Sequence, residues 1–167
     1  MNTCYHTTFV TPVGKFSVAV DPAGAVVATV FGDTASLRSR LGKCHLLSDT
    51  SKTAAVREQV LAYFSGVRRT FNLSLAPSGT EFQQKVWAAL RRIPFGETRT
   101  YRDLARELGS ANASRAVGRA NATNPICLIV PCHRVIGADG SLTGFAFGVD
   151  IKRALLAHEG TAAARAA

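Results

Sequence analysis

The sequence has no long hydrophobic run. Its longest uninterrupted apolar stretch, residues 126–131, is far shorter than the roughly 20 residues that a membrane-spanning helix requires. Residues 1–6 also lack the basic and then apolar segments of a secretory signal peptide. We therefore expect a protein without membrane contact that works in the cytoplasm, at the bacterial nucleoid.

Cysteine patterns typical of metal sites are also missing. The four cysteines, at positions 4, 44, 127 and 132, form no Cys-x-x-Cys pair and no zinc-finger set with the histidines. Without an export signal, disulfides are not expected either. The chain has no glycine-rich nucleotide-binding motif. The sequence thus predicts neither a metal nor a cofactor.

Acidic residues are few in comparison with basic ones. The 167 residues include 11 Asp and Glu against 20 Lys and Arg, which gives a formal net charge of +9. The basic residues of segment 80–125 are Lys85, Arg91, Arg92, Arg99, Arg102, Arg106, Arg115 and Arg119. Nearly all are arginines, which suit bidentate phosphate contacts. The charge favours a polyanion such as nucleic acid as partner, although a solvated basic surface would account for it equally well.

The hydrophobic pattern predicts an α+β fold in two parts. Alternating or β-rich runs at 4–10, 15–20 and 25–31 predict a small antiparallel sheet. Helices are expected at 34–41 and 53–64, and residues 70–75 alternate again like a strand. Together these elements form a predicted N-terminal domain, 1–76, with a structural role.

The second part of the chain is predicted to be mostly helical. Two capping boxes, Thr80 with Gln83 and Thr100 with Asp103, mark the starts of two helices. A third helix with small inner residues is expected to begin after Asn112 as its cap. The helix that begins at Thr100 and the helix that begins after Asn112 have the layout of a winged-helix-like helix-turn-helix. An ordinary helical hairpin would show the same pattern.

The rest of the chain completes a predicted C-terminal domain over 80–160. Residues 126–130 form an apolar run that predicts a buried strand, and 150–159 predict a last helix. The alanine-rich residues 161–167 are expected to fray.

Reactive side chains are concentrated where Cys132 and His133 follow Pro131 and precede Arg134. A cysteine reacts as its thiolate, which needs a nearby base or positive charge. His133 can accept the thiol proton directly or through water, and Arg134 adds a positive field. A buried structural cysteine beside a structural histidine would show the same dipeptide, so the pair alone leaves both interpretations open.

The residues around this pair resemble a known family. Ile-Val-Pro-Cys-His-Arg-Val (129–135) is similar to the active-site signature of the O6-alkylguanine-DNA alkyltransferases, also called methylated-DNA–protein-cysteine methyltransferases. Further segments follow that family in order and spacing, and they lie at 82–87, 93–98, 101, 114–118, 124–125 and 155–159. The resemblance is strong over 80–160 and loose before it.

This resemblance implies DNA repair without a cofactor. The partner would be double-stranded DNA containing O6-alkylguanine, with O4-alkylthymine as a second candidate substrate. The damaged base would flip out of the duplex, because its reacting atom is otherwise inside the stack. Cys132 would keep the alkyl group as a thioether, so each chain would act once. We expect a monomer, and the sequence leaves cooperative binding to DNA open.

The resemblance also implies a role for individual residues. Cys132 would be the alkyl acceptor, with His133 as its water-linked base. Glu159 would hold the histidine, and Asn124 would be the hinge between the recognition helix and the active-site segment. The DNA-binding residues would be Tyr101, Ser114, Arg115, Ala116, Gly118 and Arg119. The substrate pocket would consist of Tyr101, Val130, Pro131, Phe145, Ala146 and Phe147. Arg134 would support structure rather than chemistry.

One segment departs from the family pattern. The family usually has Gly-Tyr-(Ala or Ser)-Gly-Gly where this chain has Gly-Phe-Ala-Phe-Gly at 144–148. Phe145 lacks the tyrosine hydroxyl, and Phe147 replaces a glycine whose φ, if positive, a phenylalanine would tolerate badly. Phe147 would narrow the pocket or pack outward, so we expect an altered rate or an altered preference for bulky alkyl groups, with activity retained.

Other functional classes fit the sequence less well. A non-catalytic alkylguanine-binding relative would lack the acceptor cysteine, which is present here. A helix-turn-helix regulator would leave Cys132, His133 and Glu159 unexplained, and a cysteine hydrolase would need an oxyanion hole. The alkyltransferase is therefore the main prediction, with the non-catalytic lesion binder as the alternative.

Overall fold

Contacts between residues divide the chain into two compact units. The structure, a computed structural model, describes residues 2–166. The first unit extends to Ser78 and includes Pro125–Cys127, whereas the second comprises Gly79–Asn124 and the chain from Leu128 onward. Strands dominate the first unit and helices the second, so the predicted α+β class is confirmed.

A four-stranded sheet forms the first unit. Strands β1 (Asn2–Thr11), β2 (Gly14–Val20) and β3 (Val26–Phe31) pair antiparallel, as predicted. A fourth strand, β4 (Cys44–Ser48), pairs parallel with β1 and gives the order β3-β2-β1-β4. The sequence did not predict β4, because its residues show no alternation. The open edge of β1 supplies its hydrogen bonds.

Two helices accompany this sheet. Helix α1 (Thr34–Leu41) begins at Asp33, whose carboxylate accepts a hydrogen bond from the Ser36 amide. Helix α2 (Ala54–Phe64) buries Val56, Val60 and Tyr63. Both helices lie where the sequence predicts them.

The strand predicted at residues 70–75 is wrong. Only Leu75 forms a bridge, with Val26 of β3. The backbone of Asn72 instead bonds to the Gln59 side chain, which donates to the Asn72 carbonyl and accepts from its amide. Because a side chain satisfies the backbone at Asn72, strand pairing is confined to the bridge at Leu75.

Helices dominate the second unit. In chain order its elements are α3 (Glu81–Arg91), β5 (Arg99–Thr100), α4 (Tyr101–Glu107), α5 (Ser114–Ala122), a 3-10 turn (Cys132–Arg134), β6 (Val135–Ile136), α6 (Val149–His158) and α7 (Ala162–Ala166). Strands β5 and β6 pair in parallel. Both predicted capping boxes are present, at α3 and at α4. The cap predicted at Asn112 is wrong: Ala113 precedes α5 and gives no side-chain hydrogen bond.

The apolar run 126–130 is buried, but the strand predicted there is wrong. Leu128 has φ of 72° and is the only non-glycine residue with positive φ among residues 2–166. This backbone turn interrupts strand geometry. Polar side chains satisfy the backbone on either side, since Thr29 donates to the Cys127 carbonyl in the first unit and Asn124 to the Val130 carbonyl in the second.

The segment predicted to fray, 161–167, includes the short helix α7, and its fraying stays a prediction. Thr161 is buried, and its amide and hydroxyl both donate to the Leu156 carbonyl. Ala163 and Ala164 of α7 pack against the buried cluster of Ile136, Leu142 and Leu156. Partial burial of these small apolar side chains favours the helix, and Ala167 lies outside the described residues.

Within residues 2–166 the helices are all too short or too polar to cross a membrane.

Candidate active site

Cys132 begins the 3-10 turn directly after the buried run. Its amide donates to the Val130 carbonyl over 2.8 Å, and the Arg134 amide donates to the Pro131 carbonyl over 3.0 Å. These two bonds hold residues 130–134 in a tight turn. Val130 and Pro131, both predicted pocket residues, are buried beside the cysteine. Only 5% of Cys132 is exposed, so its thiol lies at the edge of the protein interior.

His133 and Arg134 converge on the carboxylate of Glu159, which follows the last residue of α6. The His133 Nε2 atom lies 2.9 Å from Glu159 Oε2. Arg134 donates through Nε to Oε1 and through Nη2 to Oε2, over 2.8 and 2.9 Å. A further Arg134 nitrogen, Nη1, donates to the Ile93 carbonyl over 2.7 Å. All three side chains are buried, so the structure brings together the predicted histidine and carboxylate and adds the arginine to them.

The charges in this cluster depend on one another. Burial opposes the charge of Glu159, but hydrogen bonds from His133 and Arg134 outweigh it and lower the pKa of that carboxyl. Burial lowers the pKa of His133, and the bond to Glu159 opposes the shift only in part. At neutral pH the site therefore holds a carboxylate, a guanidinium and a neutral imidazole.

The other ring nitrogen of His133 remains available. Its Nδ1 atom is buried and has no hydrogen-bond partner among the residues that the structure describes. In a neutral imidazole one nitrogen donates and the other accepts. The Glu159 carboxylate can only accept a hydrogen bond, so Nε2 must carry the ring proton. Nδ1 is therefore the nitrogen that can take up a further proton.

Two buried asparagines lie on the inner face of α5 and just beyond it. Asn124, a predicted hinge, donates from Nδ2 to the Val130 carbonyl over 2.9 Å. Asn121 donates from Nδ2 to the Cys132 carbonyl over 3.4 Å. Asn121 was not predicted as a site residue. Its spacing of four residues from the buried Val117 could have revealed it as an inward-facing polar side chain.

A buried lysine near the cysteine was also not predicted from the sequence. Lys152 of α6 is fully buried, and its Nζ donates to the carbonyls of Val135 and Thr143 over 2.6 and 3.2 Å. Burial lowers the pKa of Lys152 to about 8, and the negative charge of a Cys132 thiolate acts in the opposite direction. Its position three residues before the buried Leu155 was the available signal.

Tyr101 connects α4 with the segment before the 144–148 loop. Its hydroxyl donates to the Thr143 carbonyl over 3.3 Å. Burial raises the pKa of Tyr101, and the charge of the Cys132 thiolate adds to that rise. A Cβ on Gly118 of α5 would lie 3.9 Å from the tyrosine ring. Tyr101 thus lies between α5 and the segment before the loop, close enough to Cys132 for the thiolate charge to affect its pKa.

The predicted DNA-binding residues other than Tyr101 all lie on α5. Arg115 and Arg119 are exposed, whereas Ser114, Ala116 and Gly118 are half-buried. Two exposed cations on one short helix are compatible with phosphate contacts. Contact of these residues with DNA stays a prediction.

Two aromatic rings pack together in the loop that departs from the family pattern. Phe145 and Phe147 are half-buried and stack edge to face, with centroids 5.5 Å apart at 68°. Ala146 between them is exposed. The expected conflict at Phe147 is absent, because its φ is not positive. This phenylalanine therefore replaces the usual glycine without backbone strain.

Comparison with known proteins identifies close relatives. The family described as 6-O-methylguanine DNA methyltransferase, DNA binding domain, matches residues 81–161. A Methanosarcina acetivorans methylated-DNA–protein-cysteine methyltransferase is 60% identical over 103 residues, which are 62% of this chain and 66% of that protein. The matched part thus falls just short of two thirds of that relative. A Mycobacterium tuberculosis protein of the same name is 50% identical over 117 residues, 70% of this chain and 71% of that protein.

Solved structures extend the similarity to nearly the whole chain. The crystal structure of Mycobacterium tuberculosis OGT in complex with DNA has a TM-score of 0.84 at 39% identity and covers 93% of this chain and 92% of that one. O6-methylguanine-DNA methyltransferase from Pyrococcus kodakaraensis has a TM-score of 0.64 at 26% identity, with 94% and 99% covered. The shared fold therefore includes the first unit, which lies outside the residues 81–161 matched by the family model.

Proposed function

Because the chain belongs to the family of methylated-DNA–protein-cysteine methyltransferases, we propose that it repairs O6-alkylguanine in double-stranded DNA by moving the alkyl group to Cys132. One observation carries the proposal: the residue after Cys132 is a fully buried histidine fixed to a buried carboxylate. A merely structural cysteine would need no such neighbour. O4-alkylthymine is a second candidate substrate of the same chemistry.

In the proposed reaction His133 acts as the base. Its Nδ1 takes the Cys132 proton, directly or through a water molecule, and the Glu159 carboxylate stabilises the resulting imidazolium. The thiolate sulfur then attacks the alkyl carbon attached to O6. A carbon–sulfur bond forms, the carbon–oxygen bond breaks with its electrons going to O6, and the guanine takes up the proton that the His133 imidazolium gives back, directly or through water. The thioether cannot expel its alkyl group, so each chain acts once.

Three groups would support this reaction without taking part in bond changes. Asn124 and Asn121 hold the carbonyls of Val130 and Cys132, which positions the turn that carries the thiol. Lys152 adds a positive charge that favours the thiolate over the thiol. Tyr101 and the 144–148 loop, with Val130 and Pro131, would line the pocket for the flipped base.

We further propose that α4 and α5 act as the helix-turn-helix that binds DNA. Arg115 would enter the base stack and Arg119 would contact phosphate, while Ser114, Ala116 and Gly118 would allow close approach of the backbone. Binding that rests on phosphates should weaken steeply with salt. In this proposal the protein acts as a monomer at the nucleoid in the cytoplasm. Residues 80–160 form the DNA-binding and acceptor domain, and the N-terminal part has a structural role.

The proposal is tested by the mass of the protein after repair. Equimolar protein is mixed with a duplex that carries one O6-methylguanine, and intact mass and tryptic peptides are measured. We expect the mass of one methyl group on peptide 120–134, which contains both Cys127 and Cys132, and fragmentation should place it on Cys132. Cys132→Ser should gain no mass, whereas the matched Cys127→Ala should still be methylated.

The outcome that overturns the proposal is specific. If the lesion-containing duplex binds but the protein gains no mass, the chain is a non-catalytic lesion binder. If the methyl group appears on Cys127, the assignment of the acceptor is wrong.

A further inference from the structure

A second pair of cysteines lies in the first unit, and the proposed repair reaction does not use it. Cys4 is on β1 and Cys44 is the first residue of β4, the strand parallel to it. The Sγ atom of Cys44 donates to Sγ of Cys4 over 2.8 Å and lies 3.2 Å from the Asn2 carbonyl oxygen. Both cysteines are thiols whose sulfur atoms are in direct contact.

The geometry allows a bond between these sulfur atoms. A disulfide bond is about 2.05 Å long, so the two atoms would have to approach by less than about 1 Å. Because Asn2, not Cys4, lies opposite Cys44 in the strand register, this approach also requires a shift of the backbone. The strand that would move, β4, is short and lies at the edge of the sheet. Gly42, two residues before β4, has φ of 64° and no atom within 4 Å of the place where a Cβ would lie, so the backbone there can adjust.

Both thiols border a cleft that a small molecule can enter. The cleft has a volume of about 540 Å³ and is bordered by the side chains of Arg40, Lys43 and Asp21 as well as by the two cysteines. Cys44 is half-exposed whereas Cys4 is buried. Burial and the neighbouring Cys44 raise the pKa of Cys4 to about 12. A reagent therefore meets Cys44 first. Two cations against the one carboxylate of Asp21 leave the cleft with a net positive charge, which favours a reagent that carries negative charge.

A metal site explains this pair less well. Zinc in structural sites takes four ligands from cysteine, histidine or carboxylate side chains. Across residues 2–166, no cluster of three or more such side chains could hold a metal ion. Two thiols in contact suit two-electron chemistry between the sulfur atoms instead.

We propose that Cys4 and Cys44 form a dithiol site that reduces small anionic disulfides and closes into an intramolecular disulfide. The Cys44 thiolate attacks one sulfur of the small disulfide, forms a mixed disulfide and releases one thiol. Cys4 then loses its proton to solvent and attacks the Cys44 sulfur, which releases the second thiol. Two cysteine thiols are oxidised, one disulfide is reduced to two thiols, and β1 becomes linked to β4.

Oxidised glutathione is a suitable probe, since it is a small anionic disulfide. The full chain is incubated with it, quenched with acid, unfolded, alkylated with iodoacetamide and digested with trypsin without reduction. Cys4 lies in peptide 1–15, Cys44 in peptide 44–52, and the other two cysteines share peptide 120–134. We expect peptides 1–15 and 44–52 to be linked and peptide 120–134 to carry two alkylated cysteines.

Variants distinguish the two steps of the proposed reaction. Cys4→Ser should stop the reaction at the mixed disulfide, with glutathione retained on Cys44. Cys44→Ser should leave Cys4 as a thiol, because the buried residue cannot start the reaction. Glutathione that stays on Cys44 in the wild-type protein, or two thiols that survive, would overturn the proposal.

A measurement on the wild-type protein guards against variants that do not fold. The equilibrium constant for closing the Cys4–Cys44 disulfide is determined in glutathione buffers, with and without concentrated urea. We expect it to be about tenfold or more larger in the folded protein, since the fold holds the two thiols together. Equal equilibrium constants with and without urea would mean that the fold does not hold the two thiols in position to react, and would overturn the proposal. Methyl transfer to Cys132 is a separate readout, so failure of one proposal leaves the other intact.

Discussion

His133 Nε2 and Glu159 Oε2 lie 2.9 Å apart, and neither side chain is exposed. The same carboxylate accepts two hydrogen bonds from Arg134. One buried negative charge therefore holds both residues that follow Cys132. Loss of the Glu159 charge would leave the buried Arg134 guanidinium uncompensated and His133 without its partner, which makes this carboxylate important for both stability and chemistry.

Glu159→Gln should destabilise the protein and slow alkyl transfer. Glutamine keeps the shape but removes the charge between His133 and Arg134, and we expect a loss of about 3 kcal/mol in the free energy of unfolding. Transfer should slow about a hundredfold, because the imidazolium loses its counterion. Urea denaturation and single-turnover transfer of a labelled methyl group measure the two effects.

The matched control is Glu107→Gln. Glu107 pairs with Arg92 over 2.9 Å, but both side chains are about half exposed. An exposed ion pair contributes less than about 1 kcal/mol. Equal losses in the two variants would contradict the importance of burial at Glu159.

His133 should remain neutral at pH values where an ordinary histidine becomes charged. Burial lowers its pKa below the usual value of 6.5, with the charges of Arg134 and Lys152 adding to the shift and Glu159 opposing it. The unfolded chain therefore takes up a proton before the folded one, so stability falls as the pH drops below 6.5. Long-range nitrogen–proton NMR of the ring should give a midpoint below 6.5, and a lower one in Glu159→Gln. A midpoint at or above 6.5 would contradict the assignment.

Lys152→Met should change how stability depends on pH on the alkaline side. The folded lysine has a pKa of about 8, against 10.5 for an unperturbed one. Between these values the unfolded state binds more protons, so the wild type gains stability as the pH rises. The free energy of unfolding of the wild type should therefore rise, compared with that of Lys152→Met, by up to about 3 kcal/mol by pH 10.

Chemical denaturation at a series of pH values measures this difference. Lys85→Met removes an exposed lysine of α3 and serves as the control, whose slope should match the wild type. If Lys152→Met also follows the wild-type slope, then Lys152 does not titrate in this range.

Phe147→Gly should lower transfer of large alkyl groups more than transfer of small ones. The Phe147 ring packs edge to face on Phe145 in the loop predicted to line the pocket. We expect the Phe147 ring to contact a benzyl group in the same way, and such a contact contributes about 1 kcal/mol, so the ratio of benzyl to methyl transfer should fall roughly fivefold when the ring is removed. Competition between duplexes carrying O6-benzylguanine and O6-methylguanine gives the ratio. Val149→Ala, just beyond the loop, is the control, and an unchanged ratio in Phe147→Gly would defeat the prediction.

Features that depend on near neighbours could be predicted from the sequence. The capping box of Thr80 and Gln83 is one of them, since its partners are three residues apart. The meander of β1, β2 and β3 is another, since short turns join neighbouring strands. Two predicted strands were wrong because an alternating or apolar sequence indicates burial but does not determine whether the segment pairs with another strand. Segment 126–130 is buried yet turns at Leu128, and 70–75 bonds to the Gln59 side chain.

The sequence by itself determined the chemistry available to this protein. Residues 131–134 place a thiol, an imidazole and a guanidinium in adjacent positions, and their covalent order needs no fold. Tertiary structure decided which other groups meet them. Glu159 is 26 residues from His133, and Cys44 is 40 residues from Cys4, yet each pair is in contact. Such contacts depend on how helices and strands pack, and so does the burial that shifts the pKa values of His133 and Lys152.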